Sequence, residues 1–405
     1  MKATGFQALA VCLALAFSEG CGGGGKSSSS SSTPPNVVTT TGNNVATITV
    51  NGGPTGDSVD AAFTSVTVCV PGTSTCQTID GVLVDTGSSG LRILSSALTV
   101  ALPQQNASDG NPVVECLPFV SGYTWGPVQK ADVEIASEKA SSVPIQVLSD
   151  TDFATPTACS DQGTSSDTLS GLLANGIIGV GLTPQDCGAY CEVVEPAPNF
   201  NLYYECPSST ATCQPIGESL TQQVQNPVAL FTTDNNGVIV ELPAVSGGGA
   251  ASVTGSLVFG IGTQSNNALG SATVYTADPN TENFTTTYSG TTYTDESFLD
   301  TGSNGYFFPS TITQCGSNAP GFYCPSTTMN LSATNQGMNG ASGTVNFSVA
   351  NALASFDTSD FAFGDLGGTF SGGFDWGLPF FFGRNVFVAI QGQNAPGGTA
   401  PYWAY

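Results

Sequence analysis

A mostly β chain built as two related lobes is predicted by three observations. Gly, Ser, Thr, Asn and Val dominate, few stretches have helical periodicity, and Gly/Pro/Asn turns separate short apolar runs. One pattern occurs twice, as VLVDTGSSG at Val82–Gly90 and SFLDTGSNG at Ser297–Gly305. Each copy is an apolar run, then Asp-Thr-Gly-Ser, a small turn and a further apolar run. The halves on either side of about Gln225 have similar content and one copy each, which reads as a duplication rather than a many-fold repeat.

Taken in order, residues 1–21 read as an export segment. Lys2 supplies the positive start, and Phe6–Phe17 is an apolar run too short to span a bilayer. Cys21 follows directly, then GGGGKSSSSSSTPP, so residues 22–43 are expected to be a flexible tether. A Cys after an export segment, followed by such a tether, resembles a bacterial lipoprotein. The resemblance implies lipidation of Cys21 and attachment to the cell envelope; Ser18 and Glu19 depart from the usual pattern, and the alternative is simple export. An N-terminal β lobe is expected over 44–225, with strands in ATITV, TSVTVCV, TIDGVLV and GLRIL and a hairpin from KADVEI and SVPIQVL. Ile216–Asn226 reads as a short helix. A C-terminal β lobe is expected over 226–405, with strands in ALFTT, GVIVELP, GSLVFGIG and the run into Asp300.

Lys+Arg is 6 against Asp+Glu 30, a net charge of -24, which argues against nucleic acid and anionic membrane surfaces as partners. There is no histidine, which excludes Ser-His-Asp and Cys-His catalysis and His-rich zinc sites. Of 12 cysteines, Cys12 and Cys21 belong to the export segment, and an even number remains for disulfides in an exported protein. Cys69 with Cys76, and Cys315 with Cys324, flank short turn-rich loops. Cys116 with Cys159 would be a longer bridge. Cys187, Cys191, Cys206 and Cys213 allow three pairings. No spacing is CxxC, so no metal site is expected.

Two Asp-Thr-Gly-Ser loops after apolar strands resemble the active-site loops of pepsin-like aspartic peptidases. That family pairs each loop with a downstream element, two apolar residues and then Gly. Ile177-Ile178-Gly179 in NGIIGVGL looks like this element in the first half, and Phe381-Phe382-Gly383 looks like its counterpart in the second. GSLVFGIGTQSNN at Gly255–Asn267 resembles a strand and Gly-rich turn of the second lobe. The resemblance implies the bilobal pepsin-like fold, with Asp85 and Asp300 as a catalytic pair across the cleft. It implies that Thr86 and Thr301 lock the loops together. Gly87 and Gly302 would bring backbone N–H groups to the carboxyls, with Ser88 and Ser303 bonding the outer oxygens. More closely, CVPGTSTCQTIDGVLVDTGSSGLRI, WGPVQKADVEI and LPFFFGRNVF resemble an exported bacterial family of unknown function, which brings no activity with it.

The departures from the peptidase pattern concern the cleft. Where the family has a Trp after the first motif, this chain has Arg92, which reads either as a cleft residue for a substrate carboxylate or as a surface strand residue with an acidic neighbour. Phe119 falls near the family's flap Tyr, with Tyr123 and Trp125 close by, either as an aromatic canopy or as packing. Asp132 and Asp375 read as turn or hydrogen-bonded structural residues. Two carboxyls sharing one proton can activate water against an amide, so the expected function is an exported, monomeric aspartic endopeptidase acting on peptide or protein without a cofactor. A non-catalytic peptide- or glycan-binding protein on the same fold is the alternative. The third reading is a structural surface protein in which the motifs are only turns.

Overall fold

The computed structural model describes residues 38–148, 153–196, 199–209 and 211–405. The export segment, Cys21 and the tether up to residue 37 lie outside them. Strand alternation follows the sequence where one face is buried. In β1 (Val45–Val50), Ala46, Ile48 and Val50 point inward while Thr47 faces out. β2 (Ala62–Cys69) and β3 (Cys76–Asp85) form a hairpin closed by the disulfide Cys69–Cys76. β4 (Ser89–Leu94) is buried along its whole length. β5 (Val113–Phe119), β6 (Gly122–Ile135) and β7 (Glu138–Leu148) form two successive hairpins, and β8 (Gly176–Val180) returns between β3 and β4.

The N-terminal strands run in the order β5-β6-β7-β4-β8-β3-β2-β1, and β6 pairs back onto β2, so the sheet curls on itself. β1 then pairs with Val253–Phe259, and the sheet continues through Gly237–Leu242, Arg384–Ala389 and Tyr402–Ala404. The two lobes therefore share a continuous hydrogen-bonded sheet. A second sheet of seven strands, including Phe284–Tyr288, Thr291–Leu299 and Phe374–Trp376, forms the body of the C-terminal lobe. Its interior is aromatic: Phe308 stacks on Phe374 at 4.8 Å, and Phe374 on Trp376 at 4.3 Å. The architecture is mostly β and bilobal.

Five disulfides are present among the described residues. The three pairs expected from the sequence form, and the cysteine cluster resolves into Cys187–Cys191 and Cys206–Cys213. Such cross-linking belongs to an oxidising compartment. Among the described residues no helix is long and apolar enough to cross a membrane.

Three local expectations are corrected. No helix forms over Ile216–Asn226, because this segment gives its backbone to other partners. Gln105 Nε2 donates to Gln222 O, Gln223 Nε2 donates to Glu218 O, and Glu218 N donates to Cys191 O. ALFTT is not a strand: Pro227–Leu230 is a single 3-10 turn, capped by the Asn226 side chain, which accepts from Val228 N. The tether is bound before Asn43, since Thr39 N donates to Glu241 Oε2 at 2.6 Å and Ser256 Oγ donates to Thr39 O.

Candidate functional site

Asp85 ends β3, and Asp300 directly follows the strand Thr291–Leu299. Although 215 positions apart, the two Asp-Thr-Gly loops are joined by reciprocal bonds. Thr86 N donates to Thr301 Oγ1 and Thr301 N to Thr86 Oγ1, both at 3.0 Å. Each hydroxyl then donates past the partner loop, Thr86 to Leu299 O at 3.0 Å and Thr301 to Val84 O at 2.7 Å. Both threonines are buried, so these four bonds carry the seam without competition from water.

The carboxyls are held in the same way in both lobes. Gly87 N donates to Asp85 Oδ1 at 2.8 Å and Gly302 N to Asp300 Oδ1 at 2.7 Å. Ser88 Oγ donates to Asp85 Oδ2 at 2.5 Å and Ser303 Oγ to Asp300 Oδ2 at 2.7 Å. The glycines are required by close approach. A Cβ on Gly87 would lie 2.7 Å from Asp300 Oδ1, and one on Gly302 would lie 2.7 Å from Asp85 Oδ1. The carboxyls of Asp85 and Asp300 each lie against the glycine of the other loop, and both residues are buried. Burial first, then the neighbouring charges of Asp85 and Asp375, push the Asp300 carboxyl well above the usual carboxylate range.

Behind each loop lies a strand that the chain supplies much later. In the first lobe β8 runs parallel to β3, with Val84 opposite Ile178 and Asp85 opposite Gly179, as the sequence implied. In the second lobe the corresponding strand is Phe374–Trp376, parallel to Thr291–Leu299, with Phe298 opposite Asp375 and Leu299 opposite Trp376. The second-lobe counterpart is therefore Asp375-Trp376-Gly377. Phe381-Phe382-Gly383 instead leads into Arg384–Ala389 of the sheet shared by the lobes, with Gly383 N bonded to Leu242 O. Asp375 is consequently not a turn residue. It is a buried strand residue, and its Oδ1 has no hydrogen-bond partner among the described residues.

The family profile described as "Protein of unknown function (DUF3443)" matches residues 40–405. The chain belongs to the DUF3443 family. A search of curated protein sequences gave no match. Among solved structures, the aspartic proteinase from Irpex lacteus is similar at 16% identity and a TM-score of 0.48, covering 89% of this chain and 96% of that one.

The other residues singled out in this DUF3443 chain sit as follows. Arg92 is fully buried, neither on the surface nor facing a cleft. Its guanidinium pairs with Glu115 at 3.0 Å and Asp186 at 2.9 Å and donates to Ser89 O. Its acidic neighbours are core partners. Phe119 closes the β5–β6 hairpin opposite Gly122 and packs against a cluster containing Leu83 and Ile177, two residues that flank Asp85's strand end. Tyr123 and Trp125 pack with Cys116, Cys159 and Tyr204 in a separate disulfide-bounded cluster. The Trp125 indole donates to Phe153 O and meets Tyr204 edge-on at 5.5 Å. They are packing residues. Asp132 accepts from Ser142 N and Gly72 N and pairs with Lys139 at 3.1 Å, a structural role. The sequence reading missed Asp375 as a neighbour of the pair.

Proposed function

We propose that this DUF3443 protein is an aspartic endopeptidase of the cell exterior. Water held between Asp85 and Asp300 attacks a peptide carbonyl. The shared proton lies on the Asp300 side, where burial and acidic neighbours favour the neutral form, and polarises the carbonyl oxygen. Asp85 takes the proton that the water gives up and returns it to the leaving amine. The observation that carries this reading is the symmetric pair itself, each carboxyl gripped by one glycine N–H and one serine hydroxyl and set against the glycine of the other loop in a buried seam. Export and a lipid anchor at Cys21 are part of the proposal, and the five disulfides support the exterior location.

The test is digestion of a denatured protein and a peptide library over an acidic to neutral pH series. Wild type is expected to cleave with a rate that falls on both sides of an acidic optimum, the two apparent pKa values belonging to the pair. Asp85→Asn and Asp300→Asn are each expected to lose about a hundredfold or more in rate. Cleavage by either variant at the wild-type rate would refute the mechanism. No cleavage by wild type at any pH would replace it with the binding-protein reading.

A further inference from the structure

The guanidinium of Arg92 stands where several separate stretches of chain meet. Arg92 lies within β4, its backbone paired with Gln146 of β7 on one side and Ile177 of β8 on the other. Nη2 donates to Glu115 Oε1 at 3.0 Å and to Asp186 Oδ2 at 2.9 Å. Nη1 donates to Ser89 O at 2.9 Å. Asp186 is held in turn through its other oxygen, Oδ1, which accepts from Tyr203 Oη at 2.8 Å. That hydroxyl accepts from Val224 N, also at 2.8 Å. A guanidinium kept only to balance two carboxyls would turn its paired N–H groups to them. Here both carboxyls share one nitrogen, Nε has no partner among the described residues, and Nη1 is directed at a loop carbonyl.

That carbonyl belongs to the Asp85 loop. Ser88 Oγ donates to Asp85 Oδ2 at 2.5 Å, and Ser89 follows at once. The next residue, Gly90, has a φ of +107°, and a Cβ there would lie 2.5 Å from Val224 Cγ1 and 3.2 Å from Arg92 Nη1. The loop is thus pressed against the same residues that hold the guanidinium. Both lobes fix the first serine carbonyl by a backbone donor, Ser88 O by Gly181 N at 2.8 Å and Ser303 O by Leu378 N at 2.7 Å. Only the first lobe adds a side chain from within. The residue that matches Arg92 in its distance along the chain from the aspartate is Phe307, which packs among Ala319, Phe322 and Leu366 and has no side-chain donor. We propose that Arg92 is a positioning residue: its guanidinium, fixed by Glu115, Asp186 and Tyr203, holds the Ser89 carbonyl from inside the lobe and thereby sets the Ser88 hydroxyl against Asp85. Its effect on rate rests on the endopeptidase reading; its hold on the loop does not.

The experiment compares wild type, Arg92→Lys and Tyr203→Phe as the oxidised full chain. Lysine keeps a positive charge beside Glu115 and Asp186, but as a single point donor it cannot also serve the Ser89 carbonyl in the geometry of the fork. Tyr203→Phe keeps the ring and releases Asp186 Oδ1. The first measurement needs no activity: amide hydrogen exchange is followed in the segments Val82–Gly90 and Ser297–Gly305. Exchange in the first is expected to quicken about tenfold in Arg92→Lys and about threefold in Tyr203→Phe, while the second stays within about twofold of wild type. Equal quickening of both segments in folded Arg92→Lys, which is a general loss of stability, overturns the proposal, and so does no quickening at all. Should Arg92→Lys fail to fold, the same two outcomes in Tyr203→Phe overturn it. The second measurement is peptide cleavage. In Arg92→Lys kcat is expected to fall about 10–100-fold with KM within about twofold, because a misplaced carboxyl slows the chemistry and leaves substrate binding alone. A raised KM at unchanged kcat overturns the proposal and gives Arg92 a part in binding. If wild type cleaves nothing, the endopeptidase reading fails alone, and the exchange measurement still decides whether Arg92 holds the loop.

Discussion

Removing one hydroxyl from the seam between the lobes tests whether the duplicated loops hold the pair together. Thr86→Ala deletes two buried bonds, the one accepted from Thr301 N and the one donated to Leu299 O. Each contributes about 1 kcal/mol net. Thr301 N–H is then left buried without its partner, which adds about 1–3 kcal/mol. The sum is about 3–5 kcal/mol, a large share of the ~5–15 kcal/mol that holds an ordinary domain folded. The assay is urea denaturation of the oxidised protein. Thr78→Ala is the control, because its hydroxyl bonds Thr67 on the exposed face of the β2–β3 hairpin, and a loss within about 0.5 kcal/mol is expected there. Thr301→Ala, which removes the bonds to Thr86 N and Val84 O, should cost as much as Thr86→Ala. A loss below about 0.5 kcal/mol in both seam variants would show that the lobes are held by their shared sheet and not by these loops.

Three further outcomes follow from the same geometry. Arg92→Met leaves Glu115 and Asp186 facing each other without a cation, so it should cost about 3–5 kcal/mol or prevent folding; a stable variant with altered substrate preference would return Arg92 to the cleft. Desolvation pushes the half-buried Glu282 carboxyl up to about 7. A raised carboxyl means that the folded chain holds the extra proton, so stability is fully present below the unfolded carboxylate pKa and declines as pH rises to about 7, by up to about 1.4 kcal/mol per pH unit. Glu282→Gln should flatten the melting temperature against pH over that window. Replacing Cys116 and Cys159 by Ala should cost about 4 kcal/mol against about 2.5 for Cys69 and Cys76, because the first bridge closes 43 positions and the second 7; equal losses in calorimetry would contradict the loop-entropy argument.

Much of the fold was legible because its signals are local. Strand alternation in ATITV, the short loop between Cys69 and Cys76, and the hairpin of KADVEI and SVPIQVL each lie within a few residues. The segment Ile216–Asn226 was misread because its polar side chains suit a helix surface equally well; what decides against the helix is Gln105, more than a hundred positions earlier. Arg92 fails for the same reason. Its partners Glu115 and Asp186 are 23 and 94 positions away, so nothing in GLRIL reveals that the guanidinium is inside.

At the site itself, the letters that could be read were those fixed by the backbone. Asp, Thr, Gly and Ser recur in both halves because each serves a bond or a close approach that no other residue type satisfies there. Gly179 and Gly377 are fixed likewise: a Cβ on the first would lie 2.7 Å from the Ser88 carbonyl, and one on the second would strike the carbonyls of Gly305 and Ser303. The position two before each glycine is held only through strand pairing, which any side chain permits. The pattern of two apolar residues and Gly therefore found Ile177-Ile178-Gly179 and passed over Asp375-Trp376-Gly377 for a run of phenylalanines nearby. The free position is where the lobes could diverge without disturbing the loops. One lobe kept an isoleucine in an apolar cluster, and the other placed a buried carboxyl opposite Phe298. A duplicated scaffold that fixes two identical carboxyls can make them unequal only through such unconstrained neighbours.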